Sequence, residues 1–295
     1  MLEHANTPAA KRPRTSSMPE IPCRCLALVA CDWRRQGSSD RKLSDDELKN
    51  KMIRGRKKRT GLSTHFAEII RIASERGADT ILFSPWSHTV NKDNPRELRH
   101  AELFPAGTTH QVVILGVRRW DGKEYKEKIE VHARTGSTPY QMEQHFASAK
   151  DEKQQKEDFM EDLPIRTNSG TSIFICGETN IVGTKRCRPH HVKDEYGVRT
   201  WLDKNDVCVI LNPVHDYMRL PAMKRQRGAL SSRERVVVSV WNRGYKTREA
   251  IIPWTAHRDG KDVSDEIVEL PDVCDWSAAP SEPGIRIGIL KLDQE

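Results

Sequence analysis

The chain has 295 residues, of which 36% are hydrophobic and 31% charged, and it carries a formal net charge of +7. That length accommodates one large α/β domain or two small ones, and clear apolar runs recur from Leu26 to Leu292, which separates the chain from disordered polypeptides. No apolar run approaches a membrane span and no signal-type apolar stretch stands near Met1, so the expectation is a cytoplasmic protein with no membrane partner.

Residues 1–20 read as a flexible basic tail, rich in Pro, Ser, Thr and Ala, with Lys11, Arg12 and Arg14 clustered; residues 21–295 read as a single domain. The run Cys25–Cys31 is nearly all apolar, as a central strand covered on both faces requires. A hydrophilic segment follows and becomes densely basic from Lys49 to Arg59. Such a run is either a solvated face or a contact for a phosphate-bearing partner, nucleic acid included. Leu62–Arg76 places Phe66, Ile69, Ile70 and Ala73 on one helical face, with Gly77 as its C-cap. Thr80–Phe83 is the next strand, and strand, helix, strand with a short return predicts a parallel pair. A short helix is expected over Arg96–Leu103. Gln111–Arg118 reads as a strand, Asp121-Gly122 as a hairpin turn, and Lys126–Ala133 as its antiparallel return. Met142–Asp162 is highly charged, with little apolar periodicity, and reads as either a surface helix or a mobile excursion. Ile173–Cys176, Val207–Leu211 and Val236–Asn242 read as strands, the last two separated by a helix over Lys224–Glu234. Ile285–Leu292 alternates, which predicts an antiparallel or edge strand.

The seven cysteines are odd in number and scattered, a pattern of reduced thiols rather than a disulfide framework. One of them carries chemistry. The apolar run from Thr171 ends at Cys176 and breaks at once into Gly177 and Glu178. That places a thiol at the carboxyl end of a buried strand, where α/β folds present reactive groups. A thiol attacks as thiolate and needs a base or cation beside it; His88, His110, His132 and His215 are the candidate bases. Trp33, Trp86, Trp201 and Trp241 stand at strand ends or loops, either as packing or as pocket walls that stack on a planar ligand. Cys187, His190 and His191 lack the second paired set of a zinc site, so no metal and no other cofactor is expected. Asp121, Glu124 and Lys126 are similar to the acid-and-lysine pattern of metal-dependent nucleases, but such a short triplet arises easily in a chain this charged.

In order along the chain stand the first strand and helix, Gly77-Ala78-Asp79 leading into Thr80–Phe83, and the cysteine motif Ser169–Glu178. Val209–Pro213, Val236–Asn242 and the closing Gly288–Leu292 follow. Together they resemble the nitrilase superfamily of carbon–nitrogen hydrolases, over roughly Cys25–Leu292. The resemblance implies a four-layer α-β-β-α sandwich and Cys176 as nucleophile toward an amide or related C–N bond. In that family a glutamate after the second strand is the base, and a lysine beyond a later hairpin stabilises the tetrahedral state. Here Phe83 is followed by Ser84, Pro85 and Trp86, with no carboxylate before Asp93, and Glu130 stands at the lysine position ahead of His132. Lys126 and Lys128 are close by, and an odd offset in a strand turns a side chain to the other face. The candidate catalytic set is therefore Cys176, Glu178, Lys128, Glu130 and His132. The candidate ligand contacts are Trp86, Asn180, Asn212, Lys57, Lys58 and Arg59. Two functions stand open: a divergent hydrolase of a small amide-like substrate, or a catalytically lapsed fold that binds an anionic ligand, nucleic acid or a protein partner. A homo-oligomer fits either.

Overall fold

The structure is a computed structural model that describes residues 17–32, 65–90, 95, 97–136, 138–147, 153–185, 188–215, 221–242, 252–270 and 284–292. The tail up to residue 16, the basic run with Lys57, Lys58 and Arg59, and also Trp33, Asp93 and Cys187 lie outside the described residues.

In chain order the first half supplies β1 (Cys25–Asp32), α1 (Phe66–Glu75), β2 (Thr80–Phe83), β3 (His88–Val90), α2 (His100–Leu103), β4 (Val112–Trp120), β5 (Tyr125–Ala133) and β6 (Tyr140–Met142). Next come α3 (Lys153–Asp162), β7 (Thr167–Asn168), β8 (Thr171–Ile173), a 3-10 turn over Cys176–Ile181, β9 (Gly183–Lys185), β10 (Arg188–Lys193) and α4 (Val198–Lys204). The chain closes with β11 (Val209–Val214), α5 (Pro221–Leu230), β12 (Val236–Trp241), β13 (Trp254–Arg258), β14 (Lys261–Asp262), β15 (Val268–Glu269) and β16 (Gly284–Lys291).

Two sheets result. The first runs β15-β16-β1-β2-β4-β5-β6 with β3 beside β4, and the second runs β14-β13-β12-β11-β8-β7. β1, β2 and β4 are parallel, and so are β8, β11 and β12. Their alternation builds three apolar layers. Leu28, Leu82, Ile114 and Ile129 of the first sheet meet Ile173, Leu211, Val238 and Ala256 of the second in the core between the sheets. On the far side of the first sheet, Ala27, Ile81 and Leu115 pack under Phe66, Ile69 and Ile70 of α1. On the far side of the second, Phe174, Ile210 and Val237 pack under Phe159 of α3, Leu202 of α4 and Leu230 of α5. Each fully buried side chain of this kind contributes ~1.5–3 kcal/mol relative to exposure. Helix, sheet, sheet, helix is the layered α/β sandwich that the nitrilase resemblance implies.

One expectation changes in detail. The strand before the cysteine ends at Ile173, and Cys176 opens the 3-10 turn. The closing strand is antiparallel, as its alternation predicts, and β16 pairs with β1 on one side and β15 on the other. The charged stretch after Met142 holds α3, anchored by Phe159 and Lys156. No helix among the described residues is long and apolar enough to cross a membrane.

Candidate active site

The parallel strands of both sheets point their carboxyl ends the same way, and the polar residues that matter gather there. Cys176 follows β8, His215 follows β11, Trp86 follows β2, and Glu127 lies near the start of β5, which runs back antiparallel from β4.

Cys176 is held in the left-handed region, at φ +50°. A non-glycine residue there costs of order 1–3 kcal/mol and persists only where its surroundings over-determine it. They do so here. Asn212 Nδ2 donates to the carbonyls of Phe174 (2.7 Å) and Cys176 (3.1 Å), and its Oδ1 accepts from Ser239 (2.9 Å). Glu178 Oε2 accepts the Ile175 N–H at 2.6 Å, and Oε1 accepts the His145 N–H at 2.8 Å. Arg166 Nη1 lies 3.0 Å from the same fully buried carboxylate. Gly177 is required by space, because a Cβ there would stand 1.8 Å from the Ala147 carbonyl oxygen. Asn180 donates to that same carbonyl at 3.1 Å. Glu178, Asn180 and Asn212 thus all brace the turn that presents the thiol.

The partner of Cys176 is His215. Its imidazole hydrogen-bonds the Cys176 side chain and also Glu127, with Nε2 to Oε2 at 3.1 Å. Burial works against its protonation, but the bonds and charges of Cys176 and Glu127 raise its pKa to about 9. Burial likewise opposes ionisation of Glu127, yet bonds from His215 and Trp86, with the charges of His215 and Arg118, hold its carboxyl below the ordinary range. Arg118 closes the far side, 3.2 Å from Glu127, with its guanidinium over the Tyr125 ring at 4.0 Å and the Trp86 ring at 5.6 Å. The Trp86 ring lies 5.0 Å from the His215 ring.

The other candidate bases are placed elsewhere. His110 is buried, bonds the Leu103 carbonyl, and is pushed down to about 4 by burial. His88 packs edge-on to Phe66. Lys128, Glu130 and His132 stand at even offsets on β5, out of phase with Glu127, and of the three Lys128 also borders the cavity at His215. Glu130 is bound there by Arg119 (2.8 Å), Gln141 (2.8 Å) and His132 (3.1 Å), and Lys128 reaches Gln141 (3.3 Å) and Glu143 (3.4 Å). Glu127 stands at the odd offset with Ile129 and Val131, which belong to the core between the sheets. That inward register of an acid was the sequence signal for it.

A cavity of about 200 Å³ opens at this cluster, lined by Trp86, Glu127, Lys128, Ile175, Gln144 and His215 among others. It is smaller than the usual drug-sized site, with room for a small organic group. Its Trp86 wall depends on Gly116 of β4, where a Cβ would stand 2.5 Å from Pro85 Cα and 2.8 Å from the Trp86 nitrogen. Asn242, at the end of β12, pins the same turn from the other sheet by accepting from Ser84 at 2.6 Å and donating to the Pro85 carbonyl. Gly116→Ala is therefore expected to displace Trp86 and destabilise the fold by ~1–3 kcal/mol. Chemical denaturation followed by tryptophan fluorescence measures both effects.

Behind the thiol, Cys176 packs against Val214 and Trp241, and the buried Arg227 guanidinium lies over the Trp241 ring at 5.8 Å and bonds Thr255 at 3.2 Å. Burial lowers the Arg227 pKa to about 10. Among the described residues no group of His, Cys, Asp and Glu is arranged to hold a metal.

No family model and no curated protein matches the sequence. Among solved structures, the chain is similar to Nit3 of Saccharomyces cerevisiae, a member of branch 10 of the nitrilase superfamily, at 10% identity over 93% of each chain with a TM-score of 0.39. It is similar to an amidase of Nesterenkonia sp. AN1 in a form that carries the acetamide moiety of fluoroacetamide on its active-site cysteine. That likeness has 11% identity over 95% of this chain and 92% of that one, with a TM-score of 0.41. A glutamine-dependent NAD(+) synthetase from Cytophaga hutchinsonii is similar at 9% identity, over 84% of this chain and 40% of that one, with a TM-score of 0.38. The fold of the chain is a layered α/β sandwich, and its site brings together a cysteine, a histidine and a glutamate.

Proposed function

We propose that the chain is a cysteine-dependent hydrolase of a small amide or related C–N bond, with Cys176 as nucleophile, His215 as its proton partner and Glu127 as the group that orients and charges His215. The observation that carries this reading is the single imidazole bonded to both the Cys176 side chain and the Glu127 carboxylate, beside a small cavity. A histidine protonated up to about pH 9 faces the sulfur as a fixed cation, the kind of partner that a cysteine nucleophile uses. The sulfur attacks the carbonyl carbon and the C–N bond breaks. His215 gives its proton to the departing nitrogen, and then takes one from the water that hydrolyses the thioester. The role that a glutamate and a lysine share in the nitrilase family falls here to His215 and Glu127.

The test is ammonia release from a panel of small aliphatic amides, with mass spectrometry of the protein after iodoacetamide. The wild type is expected to release ammonia and to carry its adduct on Cys176, while Cys176→Ala loses at least ~10³-fold of the turnover with its fold intact. Turnover unchanged in Cys176→Ala overturns the nucleophile. No turnover of any amide by a folded wild type favours the lapsed, ligand-binding fold.

A further inference from the structure

A second, larger cavity of about 450 Å³ lies between α4, α5 and the β13–β14 hairpin. It shares α5 with the candidate active site but uses the opposite face of that helix. Met223 and Arg227, one turn apart, look toward the Cys176 cluster, whereas Lys224, Arg225, Gly228 and Ala229 line the cavity. Arg199 of α4 and His257 of β13 complete its polar wall, and Asp259 and Asp262 stand on the hairpin side.

The charge arrangement is specific. Lys224 and Asp262 neutralise one another at 2.9 Å. Among the described residues no carboxylate pairs with Arg225 or Arg199, and each has a buried Nε with no hydrogen-bond partner. His257 is only 2% exposed, and its Nδ1 also has none. Burial holds His257 neutral at ordinary pH by lowering its pKa to about 4. A buried donor left unmatched costs about 1–3 kcal/mol, so the two guanidinium Nε groups, beside a His257 Nδ1 able to carry the ring proton, call for an acceptor-rich occupant.

We propose that this cavity binds a small phosphate-bearing molecule, with its phosphate held between Arg199, Arg225 and His257. Guanidinium forks match oxyanions. The three groups come from α4, α5 and β13, that is, from three directions. This suits a tetrahedral group with several acceptor oxygens better than a planar carboxylate with two. The cavity exceeds a bare phosphate, which leaves room for the organic part of the molecule.

The experiment is isothermal titration calorimetry of the full chain with inorganic phosphate, inorganic pyrophosphate and acetate at low salt. Phosphate or pyrophosphate is expected to bind one site per chain, acetate to bind at least ~10-fold more weakly, and Arg225→Gln and Arg199→Gln each to weaken phosphate binding ~10-fold or more. Iodoacetamide labelling of Cys176 at the wild-type rate in both variants certifies the fold and separates this site from the nucleophile. Absence of phosphate and pyrophosphate binding at millimolar concentration overturns the proposal, and so does binding untouched by both substitutions. Acetate binding as tight as phosphate overturns the phosphate assignment.

Discussion

Replacing His215 with asparagine is expected to slow alkylation of Cys176 by iodoacetamide ~10- to 100-fold near pH 7, with a deficit that closes as pH rises past about 9. The pH profile follows from the site. His215 is raised to about 9 by its bonds to Cys176 and Glu127, so it is a cation beside the sulfur throughout the neutral range. Above about 9 the proton leaves, and the wild type loses the cation that the variant never had. The same raised pKa is a stability statement. A histidine raised on folding stabilises fully below its unfolded value of about 6.5, and that contribution is lost as pH climbs through about 9. The melting-temperature gap between wild type and His215→Asn should therefore shrink between about pH 6.5 and pH 10. Glu127→Gln removes the carboxylate that helps hold the proton, so its alkylation rate should start to match that of His215→Asn at a lower pH. Stopped-flow alkylation from pH 6 to 10 reads all three proteins. A deficit in His215→Asn that is the same at every pH would show that His215 acts on the shape of the turn and not through its charge.

The same site shows what a single sequence can and cannot reveal. Strands β1, β2, β11 and β12 were legible because a strand covered on both faces is dominated by apolar residues, as those runs are. The position of Cys176 followed, since a glycine and an acid end its run at once. The pairing of Cys176 with His215 was open among four histidines, because the order of parallel strands in a sheet is not written in their composition. Glu127 was hidden by its neighbours. The family pattern draws attention to Lys128, Glu130 and His132, one pleat out of phase, where Glu130 binds His132 and Arg119 while Lys128 reaches Gln141 and Glu143. Strand β13 was missed because Thr255 and His257 interrupt its apolar alternation, although both are buried. The support of the nucleophile turn was also illegible. Arg166 and Glu178 are 12 residues apart, and only the fold makes them a buried pair.

That pair carries the largest expected effect on stability. Arg166→Met is expected to cost ~3–5 kcal/mol, because it leaves the Glu178 carboxylate buried without its cation. Arg166 and Glu178 are 2% and 0% exposed, so solvent does not screen the loss. The remaining partners, the Ile175 and His145 N–H groups, are neutral donors. The pH dependence identifies the mechanism. Burial already raises the Glu178 pKa with Arg166 opposing it, so removing Arg166 raises it further. An acid raised on folding takes its proton more readily when folded, so its penalty is absent below the unfolded value of about 4.3 and grows as pH rises toward the folded value. The deficit of Arg166→Met should thus be largest near pH 8 and smaller near pH 5. Adding Glu178→Gln should recover much of it at pH 8, since glutamine keeps an acceptor for those N–H groups without the charge. Urea unfolding at the two pH values measures each term. A deficit under ~1 kcal/mol, or one equal at pH 5 and pH 8, would mean that the turn under Cys176 stands on its backbone bonds alone, and that Glu178 matters there as a shape rather than as a charge.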